Sequence, residues 1–423
     1  MKKVAISLSI LLCIISCSRK MTVTVTNGTD SDRLPEMVEL CLEQVRSTVG
    51  DEFIIRNSGG EEQPYQMTSD GKVIFQVEMK ACGKEIFTIS KGSPSEYQTL
   101  ACGRQYPARL DDFVWENDLV GFRAYGPALQ AKGERGFGYD LFTKRGTTLP
   151  VIDKFYELAL GERTRSRYNE LLKTNPQKAS DYQIDSMNFH IDHGYGMDAY
   201  AVGPNLGAGV TALVDEGIIY PWCYKDYEIL DNGPLRMRFR LTFAPIAVGR
   251  DTNVVETRLI TLDAGSHLNH TTVTYENLTQ TKELVAGIVL RDKDGNETAD
   301  IRKGYMAYPA PSMNFDPRNP DIDNGTHFMG HVYPDDMKDM KTVYHSEKEM
   351  KEERGGAPGH LLAFTEYAPG TEFRYYWGFG WNHSDMKTYV QWTGYLEKFA
   401  DQIRKPLEIS VTCRKLSDKN INN

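Results

Sequence analysis

Beyond residue 16 the chain has no apolar run long enough to cross a bilayer, since every later stretch is short and broken by charge. It has no CxxC pair, no GxSxG elbow, and no low-complexity tract or internal repeat. The first absence leaves a structural zinc site or a thiol nucleophile with little support, and the second disfavours a nucleophile-elbow hydrolase. Positive charge is also in short supply: 49 basic against 58 acidic side chains give a net charge of −9. Nucleic acid is therefore an unfavourable partner.

What is present begins with a leader. Lys2 and Lys3 precede the low-polarity run from Val4 to Ile15, and Ser16 stands immediately before Cys17, which is the secretory pattern. Ile14-Ile15-Ser16-Cys17 looks like a bacterial lipobox, which predicts cleavage before Cys17 and lipid on its sulfur and new amino terminus. The alternative is an ordinary cleaved signal with an incidental cysteine. Ser18, in place of an acidic residue, predicts the outer membrane, and the lack of a following acidic cluster predicts its periplasmic face. The membrane is then a partner only through the lipid. Cleavage would remove Lys2 and Lys3 and take the net charge to −11. In an oxidising compartment Cys41, Cys82, Cys102, Cys223 and Cys413 are an odd set, so at most two disulfides can form. Cys82 and Cys102 bracket a strand-turn-strand stretch and are the preferred pair.

A mature chain of about 400 residues exceeds one ordinary core, which predicts a small domain beside a large one. The expected order is leader 1–16, lipidated tether 17–21, a small β-sandwich over 22–110 and a large β domain over 111–423. Met21 to Thr26 alternates as a strand and stops at the turn pair Asn27-Gly28. Further strands are expected at Val73 to Met79 and Glu85 to Ser90. Residues 150–175 read as a helical insertion, and after Asp181 strands and Gly-rich turns are expected to the end. Lys338 to Arg354 is charge-dense and predicts a surface helix or loop.

Several stretches could carry chemistry. Leu235 to Phe243 alternates so that Arg236, Arg238 and Arg240 share one face, either a grip for carboxylate or sulfate or a solvent face paired with acids. Phe373, Tyr375, Trp377, Phe379 and Trp381 form an aromatic row. Most of it is expected in the core, with Trp377, Trp381 and nearby His383 as a candidate sugar platform. Phe189 to Tyr200 is the densest group of proton-transfer side chains, with His190, His193, Tyr195 and Tyr200 broken by glycines. Histidine accepts a proton near neutral pH and tyrosine can donate one to a departing oxygen. Structural histidines bonded to backbone are the competing interpretation. No cofactor is required by these residues, but His190 with His193, or His327 with His331, could hold a divalent ion. Asn117, Arg123 and Tyr125, in Asp112 to Pro127, could bind a carboxylate and hydroxyls or tie the two domains together. Gly136 to Asp140 has alternate glycines without the strand-then-helix setting of a phosphate site.

Across Asp112 to Pro127, Gly136 to Arg145, Phe189 to Gly209 and Asp231 to Phe243 the sequence resembles a family of lipoproteins from polysaccharide-degrading bacteria, long described as a domain of unknown function. The resemblance covers nearly all of the mature chain. It implies the activity of an ulvan oligosaccharide dehydratase, which removes water from a non-reducing-end uronic acid to leave a 4,5-unsaturated uronyl residue. It also implies a mostly β fold, a large antiparallel supersandwich similar to galactose mutarotase and polysaccharide lyase domains. No site is carried over from the family.

Dehydration across C4 and C5 needs a base, an acid and donors for the enolate-like charge. The residues predict His190 or His193 as base, Tyr195 or Tyr200 as acid, and Arg123, Arg238 and Asn117 as carboxylate clamp. An acidic oligosaccharide is the expected substrate. A polysaccharide lyase, a sugar epimerase or a non-catalytic glycan-binding lipoprotein are the competing expectations, although paired histidines have little use in a pure binder.

Overall fold

The computed structural model describes residues 19–146 and 150–415; the leader and Cys17 lie outside them. The largest element is a nine-stranded antiparallel sheet. Its main path runs Tyr224–Asn232, Arg236–Phe243, Asp251–Asp263, Leu268–Glu276, Phe373–Trp381, Thr326–Val332, Tyr305–Pro311 and Thr298–Asp300, with Ile246–Val248 paired beside Asp251–Asp263. Period-2 alternation sends Met237, Phe239, Leu241, Ile260, Leu262 and Val273 to one face, where all are buried.

Two four-stranded antiparallel sheets cover that inner face and complete a sandwich. One runs Asp140–Phe142, Gly121–Ala124, Asp112–Asn117, Ala101–Tyr106; the other Val210–Val214, Lys282–Val289, Gly359–Tyr367, Asp339–Tyr344. The mostly β supersandwich expectation therefore holds. Trp377 lies at its centre: its ring stacks on Tyr139 at 4.5 Å and 12° and meets Phe122 edge-on at 5.1 Å. Its Nε1 donates to Thr271 Oγ1 at 2.8 Å. Trp377 is core and cannot serve as a sugar platform.

The small domain joins a five-stranded sheet, a three-stranded sheet and the helix Leu42–Val49 around Val23, Val38, Phe53, Phe75 and Phe87. Its boundaries differ from the expected 22–110. The last described strand, Glu408–Lys415, pairs antiparallel with Arg19–Thr26 and so belongs here, while Ala101–Tyr106 belongs to the large domain.

The small domain sits on the outer face of the nine-stranded sheet, over the arginine row. Arg236 donates to Glu39 at 2.7 Å and to Asp263 at 2.6 Å; Arg238 donates to Asp70 at 2.7 Å and Asp231 at 2.8 Å; Arg240 pairs with Glu228. The row is thus a set of ion pairs, and Arg236 and Arg238 join the domains instead of clamping substrate. Asn117 is likewise saturated. Its Nδ2 donates to Asp263 O and Ser266 O at 2.6 and 2.7 Å, and its Oδ1 accepts from the N–H groups of Leu119 and Val120.

The helical insertion forms as Ile152–Leu160, Glu162–Thr174 and Pro176–Tyr182. The first packs most extensively, placing Ile152, Phe155 and Tyr156 against Val114, Phe142 and Phe189. A further helix, Tyr389–Arg404, lies where strands and turns were expected. Trp392, Leu396 and Phe399 recur at helical spacing and bury against Phe328 and Val332, and Thr388 with Gln391 makes a capping box. Within Lys338 to Arg354, Asp339–Tyr344 is an edge strand and Glu349–Glu353 a single turn. The expected disulfide is absent, because Cys82 and Cys102 fall in different domains; all five described cysteines are free thiols. No helix among the described residues is long and apolar enough to cross a membrane.

Truncating Trp377 to alanine should lower stability by about 3–5 kcal/mol, read by chemical denaturation, because the deletion leaves a cavity between packed sheets.

Candidate active site

Asp112, Arg123 and Asp140 come from three adjacent strands of one four-stranded sheet, and Asp198 from the loop that follows the helical insertion. Arg123 is buried among all three carboxylates. Its Nη2 donates to Asp198 Oδ2 at 3.0 Å and also pairs with Asp140, and its Nη1 lies 3.5 Å from Asp112 Oδ2. Tyr125 Oη donates to Asp140 at 2.9 Å, and Tyr156 Oη to Asp112 at 3.0 Å. The guanidinium and the Tyr125 phenol are therefore occupied by protein acids. Neither can act as the expected carboxylate or hydroxyl ligand; they position carboxylates instead.

Three acids around Arg123, with only Arg109 added at 3.7 Å from Asp112, leave an excess of negative charge. Burial and repulsion from Asp198 push the Asp140 carboxyl up, only partly offset by Arg123. Asp198 is held below the usual range: burial opposes its charge, but Arg123 and His190 outweigh that cost.

His190 lies over Asp198. Its Nδ1 is 2.8 Å from Asp198 O and 3.4 Å from Asp198 Oδ2. Two acceptors on that side fix the proton on Nδ1 and leave Nε2 as the free lone pair. Burial disfavours the imidazolium, yet the bond to Asp198 outweighs burial and holds the His190 pKa above its ordinary value. A third of the His190 side chain reaches the surface, at 33% exposure.

The other candidates of this stretch separate clearly. His193 Nε2 lies 3.0 Å from Asn188 O, so the ring ties down its own loop. Tyr195 packs beneath Lys154, whose Nζ is 3.4 Å from the ring centre. Tyr200 is buried, its Oη has no partner, and burial pushes its phenol up to about 12. Arg291 lies 4.6 Å over its ring and His327 5.8 Å edge-on. His327 Nδ1 is 3.1 Å from Ser312 Oγ while Nε2 has no partner, and burial lowers its pKa to about 3. Asp198 Oδ1 is the third buried polar atom in this neighbourhood without a partner.

His327 and His331 lie four residues apart on one strand, roughly 13 Å, too far to share an ion. His331 is bonded to Tyr333 Oη at 2.9 Å and Ala208 O at 3.2 Å. Among the described residues no group of three or more His, Cys, Asp or Glu side chains is arranged to hold a metal.

Trp381 pairs with His327 across neighbouring strands and is buried, with Arg145 4.9 Å over its ring and His383 at 5.1 Å. Arg145 Nε donates to Asp192 at 2.7 Å, and its Nη2 is 3.3 Å from His383 Nδ1. Asp192 accepts from the N–H groups of Gly194 and Gly196 at 2.7 and 3.0 Å. Gly196 is required there: its φ is +109°, and a Cβ would stand 2.0 Å from Thr143 O. The Arg145 side chain is 40% exposed, more open than that of Arg123. The segment 312–325 covers the floor: Phe315 packs 4.8 Å from His190, Met313 N donates to Ala199 O, and Asn324 O accepts from Trp381 Nε1.

Asp140, Asp192, Asp198, Arg145 and Arg291 went unassigned in the sequence reading. Asp192 and Asp198 lay inside its densest cluster, and Arg145 ended one of its resembling stretches; Arg291 stood in no motif.

Residues 25–409 match the family described as domain of unknown function (DUF4861). The chain belongs to that family. Its relatives include uncharacterized protein P7 of Formosa agariphila, 26% identical over 93% of this chain and 94% of that protein. Two solved structures from Enterococcus faecalis, a protein in glycosyl hydrolase family 38 and an alpha-mannosidase, superpose with TM-scores of 0.46 and 0.45 at 8% and 9% identity. They cover 94% and 95% of this chain, which spans about half of theirs, 48% and 46%.

His190 should titrate by NMR with a midpoint above the ordinary imidazole value of about 6.5, and Asp198→Asn should bring that midpoint down. A raised folded-state value stabilises the fold fully below the ordinary value and ceases to do so as pH rises through the raised one. The wild type should therefore lose more stability than Asp198→Asn across that window.

Proposed function

We propose that this family member is a carbohydrate-active hydro-lyase that dehydrates a uronic acid at the non-reducing end of an oligosaccharide to a 4,5-unsaturated uronyl residue. The observation that carries this reading is the surface-reaching imidazole of His190, backed by buried Asp198, together with the unpartnered phenol of Tyr200 two residues after that aspartate. An ulvan-type substrate follows the resemblance, and a lipid on Cys17 would hold the domain at the periplasmic side of the outer membrane.

In this scheme His190 Nε2 takes the proton from C5, next to the substrate carboxylate. The C5–H electrons form the C4=C5 bond, the C4–O bond breaks, and Tyr200 Oη supplies the proton that makes the leaving hydroxyl water. Arg291 stabilises the phenolate left on Tyr200. The proton on His190 then passes through solvent to restore Tyr200. Arg145, flanked by His383, replaces Arg123 as the carboxylate clamp, and the enolate-like charge develops against it. Tyr200 Oη and His327 Nε2 are closed to solvent, so substrate entry requires the segment 312–325 to lift.

The test is mass spectrometry with absorbance in the unsaturated-uronate band on uronic-acid-capped oligosaccharides. Loss of about one water, roughly 18 Da, without cleavage is expected of this acid-base chemistry. Cleavage with an unsaturated end would point to a polysaccharide lyase, and no change across plant and algal glycans to a binding protein. His190→Ala and Tyr200→Phe should each lower kcat by about 10²–10⁴. Arg145→Ala should mainly raise KM, and His193→Ala should stay within a few-fold of wild type. Full kcat in His190→Ala would remove it as the base.

A further inference from the structure

The small domain does not sit flush on the large sheet. Between them lies a cavity of about 410 Å³, remote from His190 and sharing no residue with that site. This size lies within the range of about 300–1,000 Å³ common to small-ligand sites. The outer face of the nine-stranded sheet contributes Thr261, His270, Thr272 and Tyr376, and the helix Tyr389–Arg404 contributes Phe399.

Every cation lining the cavity is already neutralised. Arg236 is paired with Glu39 and Asp263, Arg238 with Asp70 and Asp231, and Lys72 with Glu39 and Asp70. A charged ligand would have to break these pairs. The neutral groups are the uncommitted ones. The Tyr376 phenol, the His270 ring nitrogens and the Thr261 and Thr272 hydroxyls make no side-chain hydrogen bond to the described residues, although the cavity opens onto all four. The His270 ring lies 4.7 Å from Tyr376 at 22°, and Phe399 meets Tyr376 edge-on at 5.0 Å. The stacked pair and Phe399 give the cavity one aromatic side. Burial holds His270 neutral at physiological pH, so its ring offers one donor and one acceptor.

An apolar wall beside unpaired neutral donors and acceptors matches a pyranose, which carries an apolar C–H face and a rim of hydroxyls. We infer that this inter-domain cavity is a second, non-catalytic site that binds a neutral sugar residue. The inference rests on the cavity alone and holds whether or not the His190 site is a dehydratase.

The experiment is ligand-observed NMR and calorimetry on the full mature protein. The probes are glucose, galactose, xylose, rhamnose and their disaccharides, with glucuronate as the charged control. At least one neutral sugar should saturate with Kd of about 1 mM, and glucuronate should bind at least tenfold more weakly. Thr272→Trp, which fills the cavity, and His270→Leu, which keeps its volume without the nitrogens, should each weaken binding at least tenfold. Tyr376→Phe, the mildest change, guards against loss of fold and should weaken it several-fold. The His190 titration should stay unchanged in all three. Failure of every neutral sugar to saturate by about 100 mM, equal binding of glucuronate, or unaltered binding in His270→Leu and Tyr376→Phe would overturn the inference. Turnover of uronate-capped chains by the same samples reports on the His190 reading separately.

Discussion

One buried guanidinium organises the candidate site. Arg123 stands among Asp112, Asp140 and Asp198, and the last of these decides which nitrogen of His190 is free. Such a cluster adds little to stability, because desolvating an ion pair costs about as much as its attraction returns. Apolar side chains of similar volume would hold the sheet as well. The arrangement makes sense as a means of setting charge: one cation shared by several acids leaves the site short of a proton, and His190 is the group placed to take it.

The fold was legible to the degree that it depends on alternation. The strand Arg236–Phe243 and the aromatic row Phe373–Trp381 carry a period of two, and both are sandwich strands. Alternation reports which residues share a face and is silent on what covers the other one. Arg236 and Arg238 of the first strand met acids of the small domain, and Trp377 met Tyr139. Each destination depended on a long-range contact. The C-terminal helix was missed for another reason: Trp392, Leu396 and Phe399 have helical spacing, but the strands on either side favoured continuing the strand pattern.

The candidate site divided along the same line. The cluster from His190 to Tyr200 stood out by local density, and within it His190 is bonded to Asp198 while Tyr200 packs against Arg291 and His327. His193 and Tyr195 share that density but are engaged by Asn188 and Lys154. Arg123 was visible as a cation and misassigned as a ligand, because its three carboxylates come from separate strands and a loop. Arg145 became a candidate only when the sheets brought Trp381 and His383 beside it.

The pairing of Arg19–Thr26 with Glu408–Lys415 closes the small domain with the two ends of the described chain. A chain synthesised amino terminus first presents its opening strand long before that strand's partner is made. Until then Arg19–Thr26 has one bare edge, able to pair with any passing strand. The small domain, first to emerge, is therefore the last to be finished, and the row of arginines it covers waits with it.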